Sequence, residues 1–301
     1  MPPRLPHPIP YQGSKRNLAP LIGEQIPRRV EVWYEPFAGS SAMTIWAIQN
    51  RIARKYVIGD ALVPIAELWK SILDDPVRTA ERYRQIWNGQ KATNLDYFNS
   101  VRQRYNANHD PVDLLYLICR CVKNAVRFNS KGLFTQSVDK RRMGMRPDKM
   151  ESAIIGASLL MRGKTEVRAG DWLKTVKDAG PKDFVYLDPP YLGITVGRDK
   201  RYAQQLQQEH LIKGLKRLLK KRTRFALSYD GMTGDKVYGP PLPDSLGLTR
   251  MLLHAGKSSQ ATLSGRSENT VESLYLAPGV GKSRKGASKS RVKPAQASLA
   301  I

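Results

Sequence analysis

The fold is decided by a short stretch, FVYLDPPY, at residues 184–191. Its four leading apolar residues predict a strand buried on both faces, which is typical of a parallel sheet covered by helices. The two prolines that follow cannot continue sheet pairing and hold the chain in a rigid, extended corner. Asp188 and Tyr191 therefore stand at the carboxyl end of a strand, where ligands bind in open α/β sheets. A structural strand that simply ends at a proline could have the same sequence. The neighbouring motifs therefore decide whether this segment is a ligand-binding site or only a strand end.

Apolar strands that end in small or polar residues recur on both sides of this stretch. The segments predicted as strands are 32–34, 56–59, a short one at Val167, 225–228 and 271–276, and the predicted helices are 14–26, 41–49, 62–73, 148–160 and 204–221. Short strands that alternate with helices of this length indicate βαβ units and a parallel sheet. We therefore predict an α/β fold with a Rossmann-like sheet.

The alternation of strands and helices is interrupted between residues 76 and 160, which read as a mostly helical insert with a polar, basic stretch at 123–149. The division predicted from this change is a discontinuous α/β domain formed by residues 1–75 and 161–277, with the insert as a second unit. Residues 278–301 are rich in Lys, Ser and Gly and are predicted to form a disordered basic tail.

Two further segments follow predicted strands. The turn EPFAGSS at 35–41 is built of small residues, which let a backbone approach a nucleoside or amino-acid group closely. Asp60 ends the next strand and can accept both hydroxyls of a ribose, and Asp171 follows another strand in the same manner. An ordinary strand-to-helix turn and a helix-capping aspartate are the structural alternatives, and they stay open here.

The segment YQGSK at 11–15 and the proline corner carry the remaining candidate groups. Lys15 can reach a carboxylate of a ligand, although a solvated side chain is the commoner meaning of a single lysine. A flipped adenine can donate its two N6 hydrogens to the Asp188 carboxylate and the Pro189 carbonyl while Tyr191 stacks on the base. These acceptors would also stabilise positive charge that develops on the amine as it attacks a methyl donor.

The charge of the chain favours a polyanionic partner. The net charge is +24, and the six Lys or Arg of residues 278–301, which contain no acid, leave +18 on the rest of the chain. Nucleic acid is the simplest partner for such a protein, the alternative being a basic protein kept soluble by its charge. Within the insert, residues 120–149 hold nine Lys or Arg against two acids. The basic side chains that can contact phosphates or guanine edges are Arg127, Lys131, Lys140, Arg141 and Arg142.

Several classes of protein are disfavoured. No apolar run approaches the roughly 20 residues that span a bilayer, and residues 1–13 have no apolar core like that of a signal peptide. The only cysteines, Cys119 and Cys121, lie in an apolar run and are interpreted as core residues, not as the nucleophile of a cytosine-C5 methyltransferase. The four histidines are scattered, so we expect no metal. A protein of a reducing cytoplasm, without a membrane partner, is the expectation.

The ordered set of motifs YQGSK, EPFAGSS, IGD and LDPPY resembles the Dam family of DNA adenine-N6 methyltransferases. The likeness extends to RFNSKGLF at 127–134, which is similar to a loop of the family's target-recognition insert, and to SENTVESL at 267–274, which resembles its closing strand region. The resemblance covers about residues 8–277 and implies a Rossmann-like fold that binds S-adenosylmethionine (SAM), with 76–160 as the target-recognition domain.

The resemblance also implies roles for individual residues. Those expected to contact or line the pocket of SAM are Tyr11, Lys15, Phe37, Gly39, Asp60 and Asp188, with Asp171 as a further candidate. Asn129 joins the DNA-binding candidates because it matches the insert loop of the family. One departure stands out, since Ser41 replaces the second glycine of the family's FxGxG pattern, and serine tolerates a positive φ less well.

The sequence therefore predicts a site-specific methyltransferase that moves the SAM methyl group to N6 of an adenine in double-stranded DNA. An N4-cytosine DNA methyltransferase, an RNA adenine methyltransferase and an inactive DNA-binding homologue remain as alternatives. The resemblance is to bacterial and phage enzymes and suggests association with the nucleoid. These motifs specify neither a recognition sequence nor a restriction endonuclease partner.

Overall fold

The computed structural model describes residues 5–90, 95–190, 208–233, 236–237, 241–257 and 269–281. Its helices are α1 (Ala19–Gly23), α2 (Ala42–Gln49), α3 (Val63–Asp74), α4 (Pro76–Gly89), α5 (Leu95–Asn108), α6 (Pro111–Arg120), α7 (Pro147–Met161), α8 (Trp172–Thr175) and α9 (Gln208–Lys220). Its strands are β1 (Val30–Glu35), β2 (Ala53–Asp60), β3 (Thr165–Ala169), β4 (Phe184–Leu187), β5 (Arg224–Thr233), β6 (Lys236–Val237), β7 (Thr249–Lys257) and β8 (Asn269–Leu276).

The strands form one twisted sheet with a reversal of chain order in its middle. The order is β3-β2-β1-β4-β5-β8-β7, and the short β6 pairs with the end of β5. The first five strands are parallel, whereas β8 runs antiparallel to β5 and β7 antiparallel to β8. Because β1 and β4 are neighbours although the chain leaves them in opposite directions, a crevice opens beyond their carboxyl ends, where such sheets bind ligands. The predicted Rossmann-like α/β fold is confirmed.

The central strands are held by aromatic packing as well as by their backbone ladders. All four residues of β4 are fully buried, as expected for a strand covered on both faces. Trp33 of β1 stacks on Phe184 and Tyr186 at ring-centroid distances of 5.4 and 6.3 Å. Its indole N–H donates to the hydroxyl of Thr44 in α2 at 3.0 Å, which ties that helix to the sheet. These contacts make the centre of the sheet a rigid support for groups at its carboxyl edge.

The segment between α3 and β3 is helical, as predicted. Two of its helices begin with an aspartate followed by proline, a favourable start because the aspartate caps free N–H groups and proline has none to leave unpaired. Asp75 accepts from the backbone N–H of Arg78 at 3.1 Å, and Asp110 accepts from that of Val112 at 2.8 Å. The insert packs on the α/β part through α3, which contacts α6 and α7, and one hydrophobic core runs through both. Its separation as a target-recognition domain stays a prediction.

The structure corrects some predicted element bounds. The single helix predicted over 14–26 is broken into a 3-10 turn, Lys15–Asn17, and the short α1. Pro20 explains the break, because its ring would clash with the carbonyl four residues earlier in a continuous helix. Strand β7 was not predicted, since it depends on pairing with β8 and carries little alternation of its own. Residues 204–207 of the predicted helix 204–221 and residues 282–301 of the predicted tail lie outside the described residues.

Candidate active site

Three carboxyl groups lie along the carboxyl edge of neighbouring strands. Glu35 is the last residue of β1, Asp60 the last of β2, and Asp188 directly follows β4. Parallel strands end at the same edge of a sheet, so groups that are far apart in sequence are brought together here. The sequence predicted this edge as the site, and the structure brings its strand-end aspartates to it.

Asp188 forms a buried ion pair with Lys15. The ammonium of Lys15 lies 2.9 Å from Asp188 Oδ1 and 3.6 Å from Glu272 Oε2, and it also donates to the carbonyl of Gly13 at 3.1 Å. Only 6% of the Lys15 side chain is exposed, against 19% of Asp188 and 17% of Glu272. Burial raises the pKa of Asp188 to about 6, a rise that Lys15 opposes and Glu272 increases. Lys15, predicted to reach a ligand carboxylate, here contacts two carboxylates of its own chain.

The EPFAGSS turn is fixed by the groups around Gly39. The Asp60 carboxylate accepts from the backbone N–H of Gly39 at 3.0 Å and from that of Leu62 at 2.9 Å. The indole of Trp69 donates to the Gly39 carbonyl at 2.9 Å. Gly39 has φ +44°, and a Cβ atom there would lie 3.1 Å from the ring of Tyr11. Glycine is therefore favoured both by the backbone conformation and by the close approach of the tyrosine.

Asp60 is both a structural and a candidate ligand-binding group. It is nearly buried, and burial raises its pKa to about 6 while the hydrogen bonds from Gly39 and Leu62 lower it. A carboxylate offers about four lone-pair positions, so two backbone bonds leave capacity for hydroxyl donors. The sequence identified Asp60 as a candidate ribose acceptor or a capping aspartate, and its bond to Gly39 adds a role in fixing the turn that the sequence did not reveal.

Ser41 adopts the left-handed conformation, with φ 48° and ψ 33°, at the N-cap of α2. This is the position where the family pattern has its second glycine. The serine side chain makes no capping hydrogen bond, and its hydroxyl is buried without a partner within the described part of the chain. The doubt raised by the sequence therefore has a structural basis, because the turn requires a positive φ and a non-glycine residue meets it with strain.

Glu35 is a buried carboxyl beside the proposed reaction centre. It accepts from the backbone N–H of Thr44 at 2.7 Å and from the Thr44 hydroxyl. Burial raises its pKa to about 8, with Asp188 adding to the rise and the bonds from Thr44 opposing it. The sequence placed Glu35 in the turn but did not identify it as a titrating group.

Phe37 packs against α8, and Asp171 lies at the start of α8 beside α9. The half-buried ring of Phe37 packs against Trp172 at a centroid distance of 5.8 Å. Asp171 caps α8 by accepting from the backbone N–H of Leu173 at 2.8 Å, and it lies 3.7 Å from His210 Nε2. The capping alternative considered for Asp171 is therefore present, and its role toward a cofactor stays a prediction.

The proline corner continues the site, and part of it lies beyond the described residues. Pro189 is buried and Pro190 is half-buried, so both lie within the edge of the fold. Tyr191, predicted to stack on a base, is outside the described residues. Three residues that the sequence did not assign also belong here: Glu272, Trp69 and Trp172. A buried tryptophan or a strand glutamate carries no local signal that distinguishes it from ordinary core and surface.

The basic loop of the insert is closed by two isolated bridges, Cys121 with Val138 and Phe128 with Phe134. The two phenylalanine rings are buried in an edge-to-face contact at 5.7 Å, which fixes the base of the loop. Arg127 directly precedes this bridge and is half-buried. Its position next to a packed pair of rings gives the arginine a defined backbone, which recognition of a base requires.

Asn129 shapes the tip of this loop. Its side-chain oxygen accepts from the backbone N–H groups of Lys131 at 2.9 Å and Leu133 at 3.0 Å, an arrangement typical of asparagine in turns. Lys131 and Lys140 are exposed. The match of Asn129 to the family loop is thus explained in part by loop structure, and direct contact of Asn129 with DNA stays a prediction.

Arg141 and Arg142 are engaged by Asp139. Arg141 Nε and Arg142 Nε each lie 3.0 Å from an Asp139 oxygen, and Arg142 also donates to the carbonyl of Cys121 at 2.9 Å. The bonds from Arg141 are the main reason that the pKa of Asp139 falls to about 2. A phosphate would have to compete with this carboxylate for both guanidinium groups.

The two cysteines are core residues, as interpreted from the sequence. Both are buried, and burial raises the pKa of Cys119 and of Cys121 to about 12, so they are thiols at neutral pH. Among the described residues, no three His, Cys, Asp or Glu side chains are grouped to hold a metal ion. No helix of the same residues is long and apolar enough to cross a membrane.

Comparison with known proteins identifies the family of this fold and site. Residues 11–251 match the family of D12 class N6 adenine-specific DNA methyltransferases. The chain belongs to this family. Proteins with similar sequences include the modification methylase StsI of Streptococcus sanguinis, which is 26% identical over 196 residues, 63% of this chain and 29% of the relative.

Two further relatives match at similar levels. The type II methyltransferase M1.LlaDCHI of Lactococcus lactis subsp. cremoris is 24% identical over 62% of this chain and 65% of the relative. The DNA adenine methylase of Haemophilus influenzae is 23% identical over 61% and 63%. The match thus spans less than two thirds of the length of each of these three relatives. A solved rRNA methylase from Streptococcus thermophilus aligns over 86% of this chain and 94% of its own, but its TM-score of 0.30 and identity of 9% support no conclusion.

Proposed function

We propose that this chain transfers the methyl group of SAM to N6 of an adenine flipped out of double-stranded DNA. The proposal rests on the buried ion pair between Lys15 and Asp188 at the crevice between β1 and β4. Asp188 directly precedes Pro189 and Pro190. Family membership supports an adenine N6 target over the N4 of cytosine. The proposed DNA substrate is supported by the net charge of +24.

The residues at the crevice suit a cationic nucleoside. Asp60 has lone pairs left for ribose hydroxyls after its two backbone bonds, and Phe37 offers a half-buried ring against which a purine can pack. The ring of Tyr11 lies close to Gly39, so a side chain at position 39 would occupy the space beside that ring. The carboxylates Asp188 and Glu272 supply negative charge toward a sulfonium. SAM bound here would supply a methyl group already activated for transfer.

The protein groups then have to orient an amine and stabilise the charge that forms on it. The lone pair of N6 is delocalised into the adenine ring, so the amine is a poor nucleophile. The Asp188 carboxylate and the Pro189 carbonyl can accept the two N6 hydrogens and favour a tetrahedral nitrogen with a localised lone pair. With a pKa of about 6, Asp188 is mostly ionised at neutral pH, and Lys15 holds one of its oxygens in place. The proton on N6 would pass to solvent water only after the transfer, when the nitrogen is cationic and acidic, so no strong base is needed.

The insert loop is proposed to read the sequence around the target. Arg127 stands at the base of this loop, next to the packed rings of Phe128 and Phe134, and an arginine in a fixed position can bond a guanine edge through two N–H groups. Arg127→Ala should weaken binding of the cognate duplex by about 1–3 kcal/mol relative to noncognate DNA. Equal weakening of both duplexes would mean that Arg127 contacts only the backbone.

The direct test incubates the protein with SAM labelled in its methyl group and adenine-containing duplex DNA, followed by analysis of the nucleosides. We expect N6-methyl-2′-deoxyadenosine from the parent protein and none from Asp188→Ala. The affinity of Asp188→Ala for duplex DNA should remain close to that of the parent, because most of it comes from phosphate contacts. Asp148→Ala serves as a control, since this carboxylate is 86% exposed and lies in the insert.

Other outcomes separate the alternatives. Label found in N4-methylcytosine would show that cytosine is the target base. Label incorporated only into RNA would show that the substrate is RNA and not DNA. Methylation by Asp188→Ala at the parent rate would show that the proline corner is not the reaction centre. For the cofactor, Asp60→Asn should weaken SAM binding in calorimetry, and unchanged affinity would remove Asp60 from the pocket.

A further inference from the structure

A stripe of basic residues runs along the exposed face of α9. Its members, hereafter the α9 stripe, are Lys213, Lys216, Arg217 and Lys220, and all four are exposed. The opposite face of the helix is buried through Leu211, Leu215 and Leu218, so the orientation of the stripe toward solvent is set by the core. Glu209, in the first turn of α9, is the one acid of the helix, so the exposed face carries four cations against one acid. A helix with an apolar face and a strongly basic face is suited to a polyanionic surface.

The basic surface continues onto the segment between α8 and β4. Gly214 of α9 packs directly against Trp172, where a Cβ atom would collide with the indole, and Lys221 donates to the carbonyl of Lys177 at 2.7 Å. Lys174 in α8 and Lys177 just after it are likewise exposed, on a segment that contacts α9 and its end. The nearby carboxylate of Asp178 is engaged by Arg168 at 3.1 Å and does not neutralise the stripe.

The cations of the α9 stripe have no ion-pair partner among the described residues, unlike Arg141 and Arg142 of the insert loop. Residues three and four apart on a helix are neighbours, so like charges at 213, 216, 217 and 220 repel and disfavour the helix. The helix dipole favours cations only near the C-terminus, which covers Arg217 and Lys220 but not Lys213 and Lys216. Glu209, four residues before Lys213, offsets the repulsion only in part, and a bound polyanion would relieve what remains.

The stripe begins next to the proposed active site and extends beyond it. His210, in the first turn of α9, lies 3.7 Å from Asp171 at the end of β3. Seven residues separate Lys213 from Lys220, which corresponds to about 10 Å along a helix. A strand of B-DNA presents a phosphate about every 3.4 Å of its axis, so the stripe can face several phosphates of one duplex.

We propose that the α9 stripe is a second DNA-binding surface, which contacts the phosphates of the duplex flanking the target base and reads no sequence. The inference rests on the proposed DNA substrate. Part of the affinity for DNA would then come from the face of the protein that carries α8 and α9. This contribution requires a duplex longer than the segment held at the active site and the insert loop.

The test uses the full chain with the triple change Lys213→Gln, Lys216→Gln and Lys220→Gln. Its matched control is Arg29→Gln, Arg54→Gln and Lys55→Gln, three exposed cations near the amino ends of β1 and β2 that lower the net charge equally. Binding of random-sequence duplexes of about 12 and about 40 base pairs, roughly one and four helical turns, is measured across a range of salt concentrations.

On the long duplex, the stripe variant should show a log–log salt slope smaller by about 2–3, since each phosphate contact contributes about 0.9. On the short duplex its affinity should stay near that of the parent, and the control variant should change little on either. The inference is overturned if both variants change alike, or if the stripe variant loses affinity only for single-stranded RNA of the same length. Thermal unfolding shows whether the triple variant folds as the parent does. If it does not, the double variant Lys213→Gln and Lys216→Gln is used in its place. Single-turnover methylation at saturating DNA should persist in the stripe variant, so an inactive parent protein would refute the proposed function and not the stripe.

Discussion

Replacing Ser41 with glycine should stabilise the protein, although the change removes a side chain from a fully buried position. Ser41 has φ 48° and ψ 33°, a left-handed conformation that costs a non-glycine residue roughly 1–2 kcal/mol. Its buried hydroxyl has no partner among the described residues, and such a group costs about 1–3 kcal/mol. Against this, glycine adds about 0.5–1 kcal/mol of backbone entropy to the unfolded chain.

The free energy of unfolding of Ser41→Gly should therefore rise by about 1–4 kcal/mol, which is the relieved strain plus the removed cost of the buried hydroxyl, minus the added entropy. Each kcal/mol raises the melting temperature by about 1.5–2 °C in a chain of 301 residues. Urea and thermal unfolding at constant pH measure both quantities. The change leaves the hydrogen bonds of α2 intact, because the serine side chain does not cap the helix.

Ser41→Ala is the matched control that separates the two causes. Alanine removes the unpartnered hydroxyl but keeps the left-handed strain, so its stability should lie between that of the parent and that of Ser41→Gly. If Ser41→Gly is no more stable than the parent, the strain assigned to this turn is wrong. If alanine and glycine stabilise equally, the buried hydroxyl alone accounts for the effect.

The remaining predictions concern titration at the site. Because burial raises the pKa of Glu35 to about 8, the folded protein keeps a proton that the unfolded chain releases, and the free energy of unfolding falls as the pH rises from about 4.5 to 8. Urea unfolding of Glu35→Gln should show a shallower fall of that free energy between pH 6 and 8. An unchanged dependence on pH would contradict the assignment to Glu35. Glu272 raises the pKa of Asp188, so Glu272→Gln should move the acid limb of single-turnover methylation to lower pH, beside the remaining influence of Lys15, Glu35 and the buried Tyr186. The exposed Glu31→Gln should leave that limb in place, and a shift of the Glu272→Gln profile to higher pH would refute the coupling.

Much of the fold could be predicted because its signals are local. The four apolar residues before Asp188 specify a strand buried on both faces, and the two prolines stop it, whatever the rest of the chain does. The insert was predicted because strand periodicity ceases between residues 76 and 160. Strand β7 was not predicted because its signal is not local. Its residues pair with β8 and show little alternation of apolar and polar residues of their own.

The sequence by itself determined the strand ends, the proline corner and the small-residue turn, because backbone sterics and runs of apolar residues act over a few positions. The tertiary structure alone decided how Lys15, Asp188 and Glu272 meet, because Glu272 reaches the ammonium only through the antiparallel pairing of β8 with β5. It also decided that Asp139 holds Arg141 and Arg142 while the α9 stripe keeps its cations without ion pairs in the described structure. Charges interact through space over a few ångströms, so their effects follow from the packing of distant segments and cannot be read from their order along the chain.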